Sequence, residues 1–62
     1  MDPDANLQEQ RALATRILRD LDADQPVDAT DAARLAELVL ALDGWIASGG
    51  FLPARWRKNR KG

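Results

Sequence analysis

The segment RLAELVLALDGWIAS, residues 34–48, constrains this chain most, because at helical spacing it is apolar on two sides. One stripe carries Leu35, Leu38, Val39, Leu42, Trp45 and Ile46. A second stripe carries Ala33, Ala36, Leu40, Gly44 and Ala47. A helix that is apolar on two sides is normally buried on both. In a chain of 62 residues, one neighbouring helix can cover the first stripe, so the second is expected to meet another chain. Gly44 lies in that second stripe. A glycine inside a helix costs about 1 kcal/mol relative to alanine, which close approach by a neighbouring helix would offset. The alternative is that Gly44 only begins to loosen the helix near Gly49.

The neighbouring helix is expected over residues 6–22. Asn6 is suited to cap it, and Glu9, three residues on, is placed to reach back to the cap's main chain. Leu7, Leu13, Ala14, Ile17, Leu18 and Leu21 recur at helical spacing, with Arg11, Arg16 and Arg19 mostly opposite. Arg16 and Asp20 are four apart, the spacing of a solvated ion pair. The sequence DADQP then supplies turn residues. The second helix, residues 29–48, opens with Asp28 as cap, Asp31 in the capping-box position and Val27 as an apolar staple, Thr30 being a rival cap. Gly49 and Gly50 end it, since a terminating left-handed residue is best supplied by glycine.

These elements predict an all-α fold, an antiparallel two-helix hairpin over residues 1–50 with a basic appendage at 51–62. Below about 70–80 residues a single core rarely supplies more than about 3–5 kcal/mol, so small domains need a staple. The chain has no cysteine and no histidine, which removes disulfides and leaves carboxylates as the ordinary metal ligands. The remaining staple is self-association. Two hairpins are therefore expected to pair through the second helix as a homodimeric four-helix bundle, using Ala33, Ala36, Leu40, Gly44 and Ala47.

Charge divides the chain unevenly. Residues 1–50 hold ten acids and four arginines, a balance of −6, whereas residues 51–62 hold Arg55, Arg57, Lys58, Arg60 and Lys61 and no acid, a balance of +5. Three readings of the basic end stay open. It is a solvated terminus attracted by its own acidic body; or a nucleic-acid arm, cations on phosphate and Trp56 on a base; or part of a protein-binding patch made of Trp45, Phe51, Leu52 and Trp56, tryptophan and arginine being the types that dominate interfaces. In the last case Phe51 and Leu52 fold back on the preceding helix, Pro53 opens a short helix, and Trp56 docks with Phe51 and Leu52.

Catalytic chemistry is hard to assemble from this inventory. Thr15, Thr30 and Ser48 are the only hydroxyl side chains, with no His, Cys or Tyr to activate them. DLDADQPVD begins like a calcium loop, yet Gln25 stands where the central glycine belongs and Asp31 stands at the twelfth position. Gly49-Gly50 lacks the lysine signature of a phosphate loop. A non-enzyme without metal or cofactor is expected. The most apolar run, Leu35 to Ala47, is thirteen residues with Glu37 and Asp43 inside it, short of the roughly 20 that span a bilayer. Nothing in MDPDANLQEQ resembles a secretory leader. These features lead to the expectation of a soluble, cytoplasmic protein.

The stretch LAELVLALDGWIASGGFLPARW, residues 35–56, resembles short uncharacterised proteins encoded by mycobacteriophages and related actinobacterial genomes, in which an LDxW-like segment runs into GGFLPxxW. The resemblance implies a phage accessory protein acting in a bacterial host's cytoplasm, and brings no activity with it. The functional expectation is a non-catalytic protein–protein interaction module whose partners are itself and an unidentified host or phage protein. The alternatives are a dimeric nucleic-acid-binding regulator using the five tail cations, and a purely structural oligomer.

Overall fold

The computed structural model of the protein describes residues 1–57. Its elements are α1 (Pro3–Asp22), α2 (Ala29–Ala47) and a single turn, α3 (Ala54–Arg57). Among the described residues all regular structure is helical, and α1 and α2 pack against each other as an antiparallel hairpin. The extents are 39 × 26 × 14 Å, so the hairpin is a slab about one helix thick.

The α1 start is a correction to the sequence reading. Asp2, not Asn6, is the cap: its carboxylate accepts from the main-chain N–H groups of Asp4 (3.0 Å) and Ala5 (3.1 Å). Pro3 occupies the first helical position, where a missing N–H costs nothing and the ring presets φ. The Asn6–Glu9 spacing imitates a capping box but lies inside the helix. Both long helices end in the same way. At the end of α1, Gln25 N–H reaches the Asp20 carbonyl and Asp24 N–H that of Leu21, with Asp24 in the left-handed region at φ 61°. At the end of α2, Gly50 N–H reaches Trp45 and Gly49 N–H reaches Ile46, with Gly49 at φ 100°. This pairing satisfies the last carbonyls of each helix. Asp28 caps α2, accepting from Thr30 N–H at 2.8 Å.

The core between the helices is small. Leu7 and Leu13 from α1 meet Leu38 and Leu42 from α2, and these four are the buried large apolar side chains of the hairpin. One polar side chain joins them. Asn6 is buried and donates its amide to the Leu38 carbonyl at 3.1 Å, while Gln10 donates to the Asn6 side-chain oxygen at 2.7 Å.

Leu18 and Leu21, expected in the core stripe, are exposed, Leu18 to 65 %. They lie at the edge of α1, beside the line that faces α2, and α2 offers them little cover. The Arg16–Asp31 contact sets the register, and from residue 29 to Ala33 α2 offers only Ala, Thr and Asp side chains. No large apolar group precedes Leu35. Val39, assigned to cover α1, is also exposed.

Candidate functional site

The two faces of the slab differ in chemistry. On one face, ion pairs cross the hairpin. The Arg16 guanidinium makes two bonds to the Asp31 carboxylate, 2.8 and 2.7 Å, and Arg34 makes two to Glu9, 2.9 and 3.0 Å, with Glu37 a further 3.6 Å contact. These contacts replace the expected Arg16–Asp20 pair and remove both Glu9 and Asp31 from capping-box duty. The bound guanidinium groups hold the Asp31 and Glu9 carboxyls below their ordinary range and push Arg16 and Arg34 up.

The other face is apolar. Leu7, Ala14, Leu18 and Leu21 are spaced by seven, four and three residues, which places them along the edge of α1 away from Glu9 and Arg16. On α2, Leu35, Val39 and Ile46 follow at spacings of four and seven. Trp56, from α3, closes the far end of this face. It lines a cleft of about 230 Å³ with Gln10, Val39, Leu42, Asp43 and Ile46. Trp56 is 50 % exposed, so half of a large aromatic side chain faces solvent beside Val39.

The C-terminal segment reaches that position by a strap across the first turn of α1. Ala54 N–H donates to the Asp4 carboxylate at 2.6 Å, and Pro3 and Pro53 are both less than 2 % exposed. Upstream, the Trp45 indole N–H donates to the Phe51 carbonyl at 2.9 Å, and the two rings meet edge to face with centroids 5.5 Å apart. Gly50 lies under the indole, where any β-carbon would overlap the ring. The Arg57 guanidinium stands 6.0 Å from the Phe51 ring centre.

Three of the four patch residues therefore divide between two places, and Leu52 is exposed. Trp45 and Phe51 pack on each other, so Phe51 does fold back on the last turn of α2. Trp56 docks beside Val39 and Ile46 rather than on Phe51 and Leu52, because the Asp4–Ala54 bond carries α3 over α1. Of the five tail cations, Arg55 and Arg57 are exposed on α3; Arg55 borders a shallow groove with Asp4, Leu7, Gln8 and Arg11. Lys58, Arg60 and Lys61 lie outside the described residues.

The second stripe of α2 points away from α1. Ala33, Ala36, Gly44 and Ala47 are exposed, Leu40 is 72 % exposed, and space around Gly44 is open. Among the described residues no three metal-ligating side chains lie close enough to hold an ion, and no helix is long and apolar enough to cross a membrane.

Sequence reasoning missed the Asn6–Leu38 contact and the apolar face of α1. The second had a signal: the recurrence of Leu7, Ala14, Leu18 and Leu21 is that of a helix edge, distinct from the Asn6, Gln10, Leu13, Ile17 line that faces α2. Compared with known protein families, curated proteins and solved structures, the chain matches none.

Proposed function

We propose that this protein is a small non-catalytic protein-binding module that works as a self-associated helical bundle. The observation that carries the reading is the imbalance of apolar side chains. Four leucines are buried between the helices, while Leu18, Leu21, Val39, Leu40, Leu52 and Trp56 remain exposed on a slab one helix thick. A stable domain buries its apolar faces between at least two layers, and an exposed contiguous apolar patch marks an interaction surface. Self-association supplies the missing layer, and the aromatic groups on the strap offer anchors to a further partner. The resemblance of residues 35–56 to phage-encoded proteins supports a partner, host or phage, in a bacterial cytoplasm.

Sedimentation of the full chain across micromolar concentrations tests the reading, with an assembly larger than 6.8 kDa expected. A folded, stable monomer overturns it. Affinity capture from a bacterial host separates the roles beyond assembly. A protein retained by the wild type and lost with Trp56→Ala supports the binding module; nuclease-sensitive nucleic acid as the only catch supports the regulator instead.

A further inference from the structure

We propose that the apolar face bearing Leu18, Leu21, Val39 and Trp56 is a two-fold docking surface for an antiparallel second copy of this chain. In that pairing the acidic turn of each copy meets the α3 arginines of the other. The inference rests on the self-association reading and adds the surface and the orientation. It also moves the pairing away from the Ala33–Ala47 stripe. That stripe lies on the back of α2, and joining two hairpins there leaves four helices in a row rather than in two layers. Joining them through the apolar face stacks slab on slab, the arrangement of a four-helix bundle.

Charge selects the occupant and its direction. At the turn end, Leu18 shares a depression with Thr15, Arg19 and Asp22, and Asp24 follows in the turn, so two carboxylates stand against one arginine, while Asp20 and Asp28 act on Arg16 at the ion-pair face. At the other end Arg11, Arg55 and Arg57 outnumber Asp4 and Asp43, the latter lining the Trp56 cleft. The face is thus apolar along its length and opposite in sign at its two ends. A two-fold axis brings residue i of one copy to j of the other and j to i. An axis lying within the interface at the middle of the face, at right angles to the helices, lays leucines on leucines and joins acid to base at both ends. A parallel pairing would stack acid on acid, and like charges in juxtaposition suppress a wrong arrangement. The opposite face, crossed by its ion pairs, offers no comparable apolar strip.

The chain has no cysteine of its own, so single cysteines report geometry directly. Asp22→Cys and Arg55→Cys are made as separate full-length variants and oxidised mildly, alone and mixed. Within one chain these sites sit at opposite ends of α1, about 27 Å apart at 1.5 Å per residue, beyond disulfide reach. The expected result is a covalent dimer linking site 22 to site 55 in the mixture, with neither variant linking to itself efficiently. As a second measurement, Arg55→Glu with Arg57→Glu weakens assembly about tenfold or more, and adding Asp22→Arg restores part of it. All three sites are exposed and none has a left-handed main chain, so the hairpin folds in each variant. Self-linking of Asp22→Cys, or faster self-linking of Leu40→Cys than of the mixture, overturns the proposed face while self-association stands. A monomeric wild type by sedimentation overturns both.

Discussion

The Asn6 amide and the Leu38 main-chain oxygen, 3.1 Å apart, tie α1 to the middle of α2 through the only buried polar side chain among the described residues. The Leu38 carbonyl sits inside a helix and already accepts from its own ladder, so losing Asn6 does not orphan it. Asn6→Leu is therefore expected to change stability by less than about 1 kcal/mol. Asn6→Asp is different, because a buried carboxylate would face the Leu38 oxygen, with the neutral Gln10 amide to donate to it. A loss of several kcal/mol at neutral pH is expected. That carboxyl would have its folded pKa raised, so the loss should shrink as pH falls below the raised value. Denaturant unfolding at pH 7 and pH 4 checks both variants; equal stability of Asn6→Asp at the two pH values would show that the site takes in water.

The cross-hairpin ion pairs give the wild type the opposite pH response. Folded Asp31 and Glu9 are held below their ordinary range by Arg16 and Arg34. Their contribution is complete above the unfolded carboxylate values, about 3.9 and 4.3, and is lost as pH falls through the depressed folded values. Melting temperature should thus be flat from pH 7 to about 5 and decline below about 4. Both pairs are solvent-facing, so raising salt should reduce the effect. Arg16→Gln combined with Arg34→Gln should flatten the acid limb; an unchanged acid limb would place the titrating groups elsewhere.

The helices and the turn between them were legible in the sequence because their signals are local. Asp28 and Gly49 mark ends by their own main-chain chemistry, and apolar periodicity marks each rod. The start of α1 was not, since Asn6 and Glu9 carry a cap's spacing while Asp2-Pro3 forms the actual one. Contacts across the hairpin were illegible for a different reason. Whether Arg16 meets Asp20 or Asp31, and whether Leu18 is covered, depends on the register of α2 against α1. That register shows only in contacts across the hairpin, Asn6 on Leu38 and Arg16 on Asp31, and no window of one helix contains it. The strap was half legible: the return of Phe51 follows from the glycine terminator, but the route of Trp56 depends on Asp4, fifty residues away.

Asp24 and Gly50 test the two helix ends from opposite directions. Asp24 holds φ 61°, a region that penalises a β-carbon. Asp24→Gly should stabilise by about 0.5 kcal/mol, seen as a rise of a few degrees in melting temperature. Gly50→Ala should cost about 1–3 kcal/mol as an overpacked site, because its β-carbon would overlap the Trp45 indole. The displaced indole would leave the Phe51 carbonyl, so a red shift of tryptophan emission should accompany the loss. A Gly50→Ala variant with native emission and melting would mean that the indole has another resting place.

Asp4 is the anchor of the strap, and its removal should free α3 without unfolding the hairpin. Its carboxylate accepts from Ala54 N–H, but Asp2 alone supplies the capping bonds of α1. Asp4→Ala therefore leaves the helix start intact and loosens Pro53 and Trp56. Trypsin reports this directly, because Arg55 and Arg57 are cleavage sites on the strap, and cutting of a transiently opened segment follows its open population. Cleavage at these sites should rise about three- to tenfold in Asp4→Ala, while Arg11 and Arg19, within α1, stay protected. Glu9→Ala, which breaks an ion pair on the other face, should leave strap cleavage unchanged. If Asp4→Ala is cut no faster than the wild type, the Trp45–Phe51 bond and the burial of Pro53 hold the strap by themselves. Asp4→Asn separates charge from hydrogen bonding, since its amide oxygen still accepts from Ala54. Protection retained in Asp4→Asn and lost in Asp4→Ala would identify the hydrogen bond, rather than attraction between Asp4 and the arginines of α3, as what holds the strap closed.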